Sequence, residues 1–156
     1  MDPAERPDPP VVAARTDRPF LEHSRNWAIA WLGWFMVLVI LSSLSHPGPK
    51  IDVVGIDKVE HAIYFALGGT CLALALALRG KPAHQALLNA PWRKLALITL
   101  LAGAAVGWFD EWHQSFTPGR KGLDVYDWMA DVLGSLAAVP LARLVLRWLA
   151  LRTGRA

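Results

Sequence analysis

With 156 residues, of which 54% are hydrophobic and 19% charged, the chain is long enough for one domain but too apolar for an ordinary small soluble protein. Its net charge of +3 is mild, and membrane topology accounts for the basic residues, so nucleic-acid binding is not expected. The single cysteine, Cys71, excludes an intramolecular disulfide.

The N-terminal segment, residues 1–24, is rich in proline and charge, which predicts a disordered cytoplasmic segment. An uncharged apolar block follows at residues 27–44. It is too long for the apolar region of a signal peptide, and the segment before it is too long and polar. We therefore expect this block to be a retained transmembrane helix.

Three further apolar blocks follow at residues 62–78, 95–109 and 125–144, the last continuing to 151. A membrane-spanning helix needs about 20 residues. The third block reaches that length only if it continues through 110–116, and the fourth only if it includes Asp127 and Asp131. A soluble bundle is the alternative, but uncharged helices usually need a polar face to be soluble. The prediction is an all-α integral membrane bundle of four transmembrane helices over residues 25–152, with a short tail at 153–156.

The basic residues predict the orientation of this bundle. Twelve of the 16 lie in residues 1–26, 79–94 and 143–155, whereas the two other loops contain only Lys50, Lys58, Arg120 and Lys121. Cytoplasmic segments carry an excess of Lys and Arg. Both termini are therefore predicted to be cytoplasmic, and most of the acids near the helix ends fall on the outer side.

On each of the last three predicted helices, polar residues near the outer end share a face with small residues. These faces are Asp57, His61, Tyr64 and Gly68; Gly103, Gly107, Glu111 and Gln114; and Asp127, Asp131, Gly134 and Ala138. Small residues let membrane helices approach closely, and carboxylates should face one another or water rather than lipid. We therefore expect an outward polar pocket lined by Asp57, His61, Tyr64, Glu111, Gln114, Asp127 and Asp131.

The stretch DEWHQSFTPGR, residues 110–120, ends the third predicted helix. Pro118 and Gly119 favour a turn. Arg120 after the turn is expected to fold back and form a bidentate ion pair with the carboxylates. Asp124 or Asp127 then begins the fourth helix, since a carboxylate is favourable at a helix N-terminus.

Three stretches, DKVEHAIYFALGG, DEWHQSFTPGR and DVYDWMADVLGSL, resemble the motifs of VanZ-like membrane proteins over roughly residues 27–145. The matching positions are Asp57, Lys58, His61, Tyr64 (one residue early), Glu111, Gln114, Pro118, Gly119, Arg120, Asp127 and Gly134. Asp131 stands where the family pattern has asparagine, which adds a negative charge. The resemblance implies a multi-pass protein of the bacterial inner membrane with a role in the cell envelope and a link to glycopeptide antibiotic resistance. It implies no particular reaction.

These residues are compatible with three functions. The first is binding of a lipid-linked cell-wall precursor, a lipid headgroup or a lipophilic antibiotic, with Lys58 and Arg120 holding phosphate. The second is a membrane hydrolase in which carboxylates and His61 hold Mg²⁺ or Mn²⁺. The third is a small proton-coupled transporter that uses Glu111 and His61 as a relay. The predicted ligand-binding residues are Asp57, Lys58, His61, Tyr64, Glu111, Gln114, Arg120, Asp127 and Asp131.

The sequence assigns no cofactor, no metal ligands and no catalytic residues. The lipid bilayer is the one certain partner that such a composition predicts. Whether the protein is an enzyme, and whether it forms an oligomer, stay open at this point.

Overall fold

The computed structural model describes residues 18–45 and 55–153, and these residues form helices and connecting turns without a β-strand. A 3-10 turn at Phe20–Glu22 precedes five α-helices. These are α1 (Ser24–Ser42), α2 (Ile56–Ala77), α3 (Ala83–Asn89), α4 (Trp92–Gln114) and α5 (Val125–Arg152). All except α3 are long and apolar enough to cross a membrane. This confirms the predicted all-α membrane bundle, while its direction across the membrane stays a prediction.

The condition that the sequence set for the fourth span is met, and the condition for the third is met except at Ser115 and Phe116, which lie after the end of α4. Helix α4 continues through the acids to Gln114, and α5 includes Asp127 and Asp131. The short helix α3 lies in a segment predicted to be a loop. The turn at Phe20–Glu22 lies in the segment predicted to be disordered. The remainder of that prediction, at 1–17, and most of the predicted tail, at 154–156, lie outside the described residues.

The turn and α3 are joined by a buried carboxylate. Glu22 is buried, and its Oε2 accepts a hydrogen bond from the Ala83 backbone N–H at 3.2 Å. That N–H is at the start of α3, where the helix offers no acceptor of its own. The bond ties the entry of α1 to the connection between α2 and α4.

Glycines set the distances between the helices. A methyl group on Gly134 of α5 would collide with the backbone carbonyl of Ala62 on α2. A methyl group on Gly69 of α2 would lie 2.7 Å from the Cβ of Ala138 on α5. Close approach of this kind is how small residues pack membrane helices. The small-residue stripes read from the sequence are therefore the contact faces of the bundle.

Helix α1 packs against α2 through an aromatic pair. Trp34 donates its indole N–H to the Tyr64 carbonyl at 2.9 Å, and the Tyr64 hydroxyl donates to the Trp34 carbonyl at 2.8 Å. The two rings stack with centroids 5.3 Å apart, and Gly68 leaves room for the indole. Most other apolar side chains of α1 are exposed, as expected of a helix that faces lipid.

The interior has an apolar half and a polar half. Leu74, Leu78, Leu95 and Leu146 belong to a buried apolar cluster. The ends of α1 and α4 and the starts of α2 and α5 meet at the opposite end, where Ser42 bonds Asp110 and Lys58 bonds Asp127. We call this region the polar end. It is the part of the fold that gathers ionisable side chains.

The packing at Gly134 gives a first prediction. Gly134→Ala should destabilise the fold by about 1–3 kcal/mol, because the added methyl group meets backbone that cannot rotate away. Gly33→Ala on α1 is the matched control, since nothing lies within 4 Å of its added methyl group. It should be neutral or stabilising by up to about 1 kcal/mol, because alanine is the better helix former. Reversible unfolding in mixed detergent micelles measures both, and equal losses would contradict the backbone contact.

Candidate functional site

An ion pair joins α2 to α5 at the rim of the polar end. The Lys58 ammonium lies 2.7 Å from Asp57 Oδ2 and 2.6 Å from Asp127 Oδ1. The side chain of Lys58 is 34% exposed and that of Asp127 is 14% exposed. Solvent weakens the electrostatic attraction in such a pair, so the main effect of Lys58 is to place a positive charge beside Asp127.

A second contact between these helices is buried more deeply. His61 Nδ1 lies 2.9 Å from Asp131 Oδ1, and the Asp131 side chain is fully buried. An ionised carboxylate only accepts hydrogen bonds, so Nδ1 carries the hydrogen and Nε2 of a neutral ring keeps a lone pair. The other Asp131 oxygen, Oδ2, has no hydrogen-bond partner in the described part of the chain. It lies against Gly107 of α4, where a methyl group would come within 2.6 Å of it.

Glu111 brings α4 into the same region. It is 1% exposed, and its Oε2 accepts a hydrogen bond from the Asp124 backbone N–H at 2.7 Å. Its backbone carbonyl accepts a second bond from the N–H of Leu123, whose φ of 61° is unusual for a residue with a side chain. These two bonds hold the connection between α4 and α5 against the end of α4. Glu111 Oε1 has no partner among residues 18–45 and 55–153.

Three of these side chains form a compact set, which we call the His–Glu–Asp cluster. His61, Glu111 and Asp127 each offer one nitrogen or carboxylate oxygen, and these three atoms lie within 4.8 Å of one another. The residues come from α2, α4 and α5, so the cluster exists only when the three helices are packed together. A nitrogen and two anionic oxygens at this spacing can bind a cation or accept hydrogen bonds from a ligand.

A separate polar group lies between α1 and α4. Asp110 is buried, and it accepts hydrogen bonds from the Ser42 hydroxyl and, at 2.7 Å, from Gln114 Nε2. Gln114 Oε1 in turn accepts from Arg120 Nε at 3.2 Å and from Arg120 Nη2 at 2.7 Å. Thr117 closes the group by donating to the Ser42 carbonyl at 2.9 Å. These contacts connect the turn after α4 to the end of α1.

The predicted ion pair between Arg120 and the carboxylates does not occur among the described residues. Arg120 bonds to the amide of Gln114 instead, and Gln114 relays the contact to Asp110. Asp110 itself was not expected to be part of a site. Its spacing of four residues from Gln114 was the available signal, since residues i and i+4 are neighbours on a helix.

The predicted ligand-binding residues therefore divide into four sets. Lys58, His61, Glu111, Asp127 and Asp131 come together, and Gln114 and Arg120 lie in the neighbouring Asp110 group. Asp57 lies at the rim with its side chain 57% exposed. Tyr64 faces α1, where its hydroxyl bonds the Trp34 carbonyl.

A cavity of about 150 Å³ adjoins the cluster between α4 and α5. Its walls are Trp108, Leu123, Val125 and Trp128, together with Glu111 and Asp124. Trp128 is fixed there by a hydrogen bond from its indole N–H to the Ala104 carbonyl at 3.0 Å. The cavity is thus apolar on most sides, with two acidic residues among those that line it, which suits a ligand that has both apolar and polar parts.

Asp124 begins α5, as one of the two predicted starting residues. Its side chain accepts a hydrogen bond from the Tyr126 N–H at 2.9 Å, and it lies 3.1 Å from Lys121. These contacts favour the charged carboxylate, so hydrogen bonding from Lys121 first, and from Tyr126 next, lowers the pKa of Asp124. The cap fixes the loop whose Asp124 N–H reaches Glu111.

Comparison of the chain with protein-family models, with curated proteins and with solved structures finds no match.

The His61–Asp131 pair gives a second prediction. In a double-mutant cycle of His61→Ala and Asp131→Ala, the coupling free energy should be about 1–3 kcal/mol, because each single change leaves the other side chain without its partner. Unfolding in mixed micelles provides the four free energies. The pair Lys121–Asp124, whose lysine side chain is 87% exposed, is the control and should couple more weakly, because water and salt screen it. A His61–Asp131 coupling no larger than that of the control would contradict a buried pair.

Proposed function

We propose that this protein is a VanZ-like component of the bacterial cell envelope that binds an amphiphilic, lipid-linked ligand at its polar end. The observation that carries the proposal is the position of Glu111. Its carboxylate is buried and has one oxygen without a partner in the described residues, and Glu111 is one of the residues that line an otherwise largely apolar cavity. A buried polar atom without a partner is costly, and a ligand that donates a hydrogen bond removes that cost.

The surrounding residues favour a ligand with three kinds of group. Sugar hydroxyl, amide or ammonium groups can donate to Glu111, and an apolar part can pack against Trp108 and Trp128 in the cavity. Lys58 uses its ammonium for Asp57 and Asp127, which leaves one of its three hydrogens for a phosphate at the rim. A lipid-linked cell-wall precursor combines all three groups. A lipophilic glycopeptide antibiotic combines the first two and is the second ligand to test.

The distribution of charged residues supports a proposed location for the polar end relative to the membrane. With both termini in the cytoplasm, as the distribution of Lys and Arg predicts, the polar end lies at the outer face of the inner membrane. Precursors and antibiotics of the cell envelope are met at that face. The link to glycopeptide resistance belongs to this proposal and is supported by the three motif resemblances alone.

A metal-dependent membrane hydrolase is the second candidate, and the His–Glu–Asp cluster favours it. A divalent ion held there could lower the pKa of a bound water and direct it at an ester or phosphate bond of the same ligand. Detection of a cleaved product distinguishes the two functions, since a hydrolase cleaves its ligand and a binding protein releases it unchanged.

The cavity gives the third prediction. Val125→Trp should fill the cavity and weaken binding of a fluorescent polyprenyl-linked wall precursor by at least about tenfold, a loss of about 1.4 kcal/mol. Binding is measured by fluorescence anisotropy with the full chain in lipid nanodiscs. Leu133→Trp is the matched control because this exposed residue of α5 does not line the cavity.

The same samples are analysed for cleaved precursor and are titrated with a lipophilic glycopeptide. The control variant should bind as the wild type does. Equal binding by wild type and Val125→Trp, or no binding of either ligand by the wild type, would refute the proposed site. Cleavage that Glu111→Gln abolishes would place the hydrolase first.

A further inference from the structure

We infer that His61, Glu111 and Asp127 form a binding site for one divalent transition-metal ion of the Mn²⁺ to Zn²⁺ series. The three side chains come from three different helices, and their ligand atoms already lie within 4.8 Å of one another. The inference does not depend on the identity of any lipid-linked ligand, and it would supply the ion that the hydrolase candidate needs.

Unpartnered oxygens are the independent observation that points to an ion. Glu111 is 1% exposed and Asp131 is fully buried, yet Glu111 Oε1 and Asp131 Oδ2 have no hydrogen-bond partner in the described segments. Buried polar atoms normally have partners, and exceptions need a cause. A cation bound to Glu111 satisfies its free oxygen directly and lowers the electrostatic cost of the neighbouring Asp131.

The charge balance of the cluster and the adjacent Asp131 points the same way. Glu111, Asp127 and Asp131 can carry three negative charges in a small volume. Lys58 is the only lysine or arginine that forms an ion pair with any of them among the described residues. It contacts Asp127 at the rim and does not reach the two deeper carboxylates. Buried charges without compensation are unfavourable, so a dication at this position stabilises the folded arrangement.

The contact between His61 and Asp131 prepares the ring for ligation. A metal-bound histidine commonly donates its other ring N–H to a carboxylate, which fixes the tautomer and raises the basicity of the ligating nitrogen. Asp131 holds His61 through Nδ1 at 2.9 Å, so ligation would use Nε2. Asp131 is then a positioning residue, and it does not touch the ion.

The donor set selects the kind of ion. Carboxylates alone suit Mg²⁺ and Ca²⁺, whereas an imidazole ligand favours Zn²⁺ and its neighbours in the transition series. Three protein ligands leave a position for water or for a ligand group. With bonds of about 2.0–2.2 Å, tetrahedral ligands lie about 3.4 Å apart, so the cluster must contract slightly when the ion binds. Lys58 bonds Asp127 Oδ1, which leaves Oδ2 for the ion.

Metal titration of the full, tag-free chain in detergent tests the inference. After treatment with EDTA and desalting, the protein is titrated separately with Zn²⁺, Mn²⁺, Mg²⁺ and Ca²⁺. Stoichiometry is measured by elemental analysis, and stability by the shift in Tm. Co²⁺ is added to the wild type as a spectroscopic probe, because its visible absorption reports ligation. We expect one equivalent of Zn²⁺ or Mn²⁺ with a clear rise in Tm, and weaker effects of Mg²⁺ and Ca²⁺.

Isosteric variants locate the ion. Glu111→Gln and Asp127→Asn should each weaken binding at least about 100-fold, because each removes an anionic ligand. Asp131→Asn should weaken it by about 10- to 100-fold and keep one equivalent at saturation, as expected of a residue that orients a ligand. Glu60→Gln is the matched control, since this exposed acid lies on α2 outside the cluster, and it should bind as the wild type does.

The inference is overturned if the wild type takes up no stoichiometric ion and Co²⁺ gives only its aqueous spectrum. It is also overturned if the folded Glu111→Gln and Asp127→Asn proteins bind as the wild type does. Circular dichroism and size-exclusion chromatography establish that the variants are folded. The Co²⁺ measurement uses the wild type, so it tests the site even if a variant fails to fold. Precursor binding is measured in EDTA, so that a failure of the metal site and a failure of the proposed ligand binding are seen separately.

Discussion

The contact between Gly134 and the Ala62 carbonyl determines how closely α5 and α2 approach, and the polar end depends on it. Ala62 follows His61 in the chain, and Gly134 lies one helical turn after Asp131. The backbone contact therefore lies directly beside the buried His61–Asp131 pair. A larger residue at position 134 would push the helices apart by the space of a methyl group, and a hydrogen bond of 2.9 Å does not survive that displacement.

Polar atoms buried in a membrane protein must find their partners inside the protein, and this requirement explains how the polar end is divided. Asp110 is satisfied by Ser42 and Gln114, and it joins α1 to α4 as a closed structural group. The His–Glu–Asp cluster joins α2, α4 and α5, but Glu111 in the cluster and Asp131 beside it each have an oxygen without a partner in the described chain. Complete satisfaction favours a structural role for the first group. Incomplete satisfaction is what a site for an ion or a ligand requires.

Periodicity and residue size predicted the parts of this structure that depend on local pattern. Four spans, their small-residue faces and the convergence of His61, Glu111 and Asp127 all follow from spacing along single helices. The misplaced residues depend on partners that spacing along a single helix does not identify. Tyr64 has the expected spacing, but the carbonyl of Trp34 is its acceptor across the α1–α2 contact. Arg120 is separated from the acids by Gln114, and α3 relies on a cap from the distant Glu22.

The hydrogen bond from the Asp124 N–H to Glu111 Oε2 connects the buried acid to a backbone amide in the loop before α5. An ion or ligand that draws the Glu111 carboxylate towards His61 and Asp127 lengthens this bond. The amide proton of Asp124 then exchanges faster with solvent, and its chemical shift moves, because both respond to the strength of its hydrogen bond. One backbone position thus reports the state of the polar end without a label on any ligand.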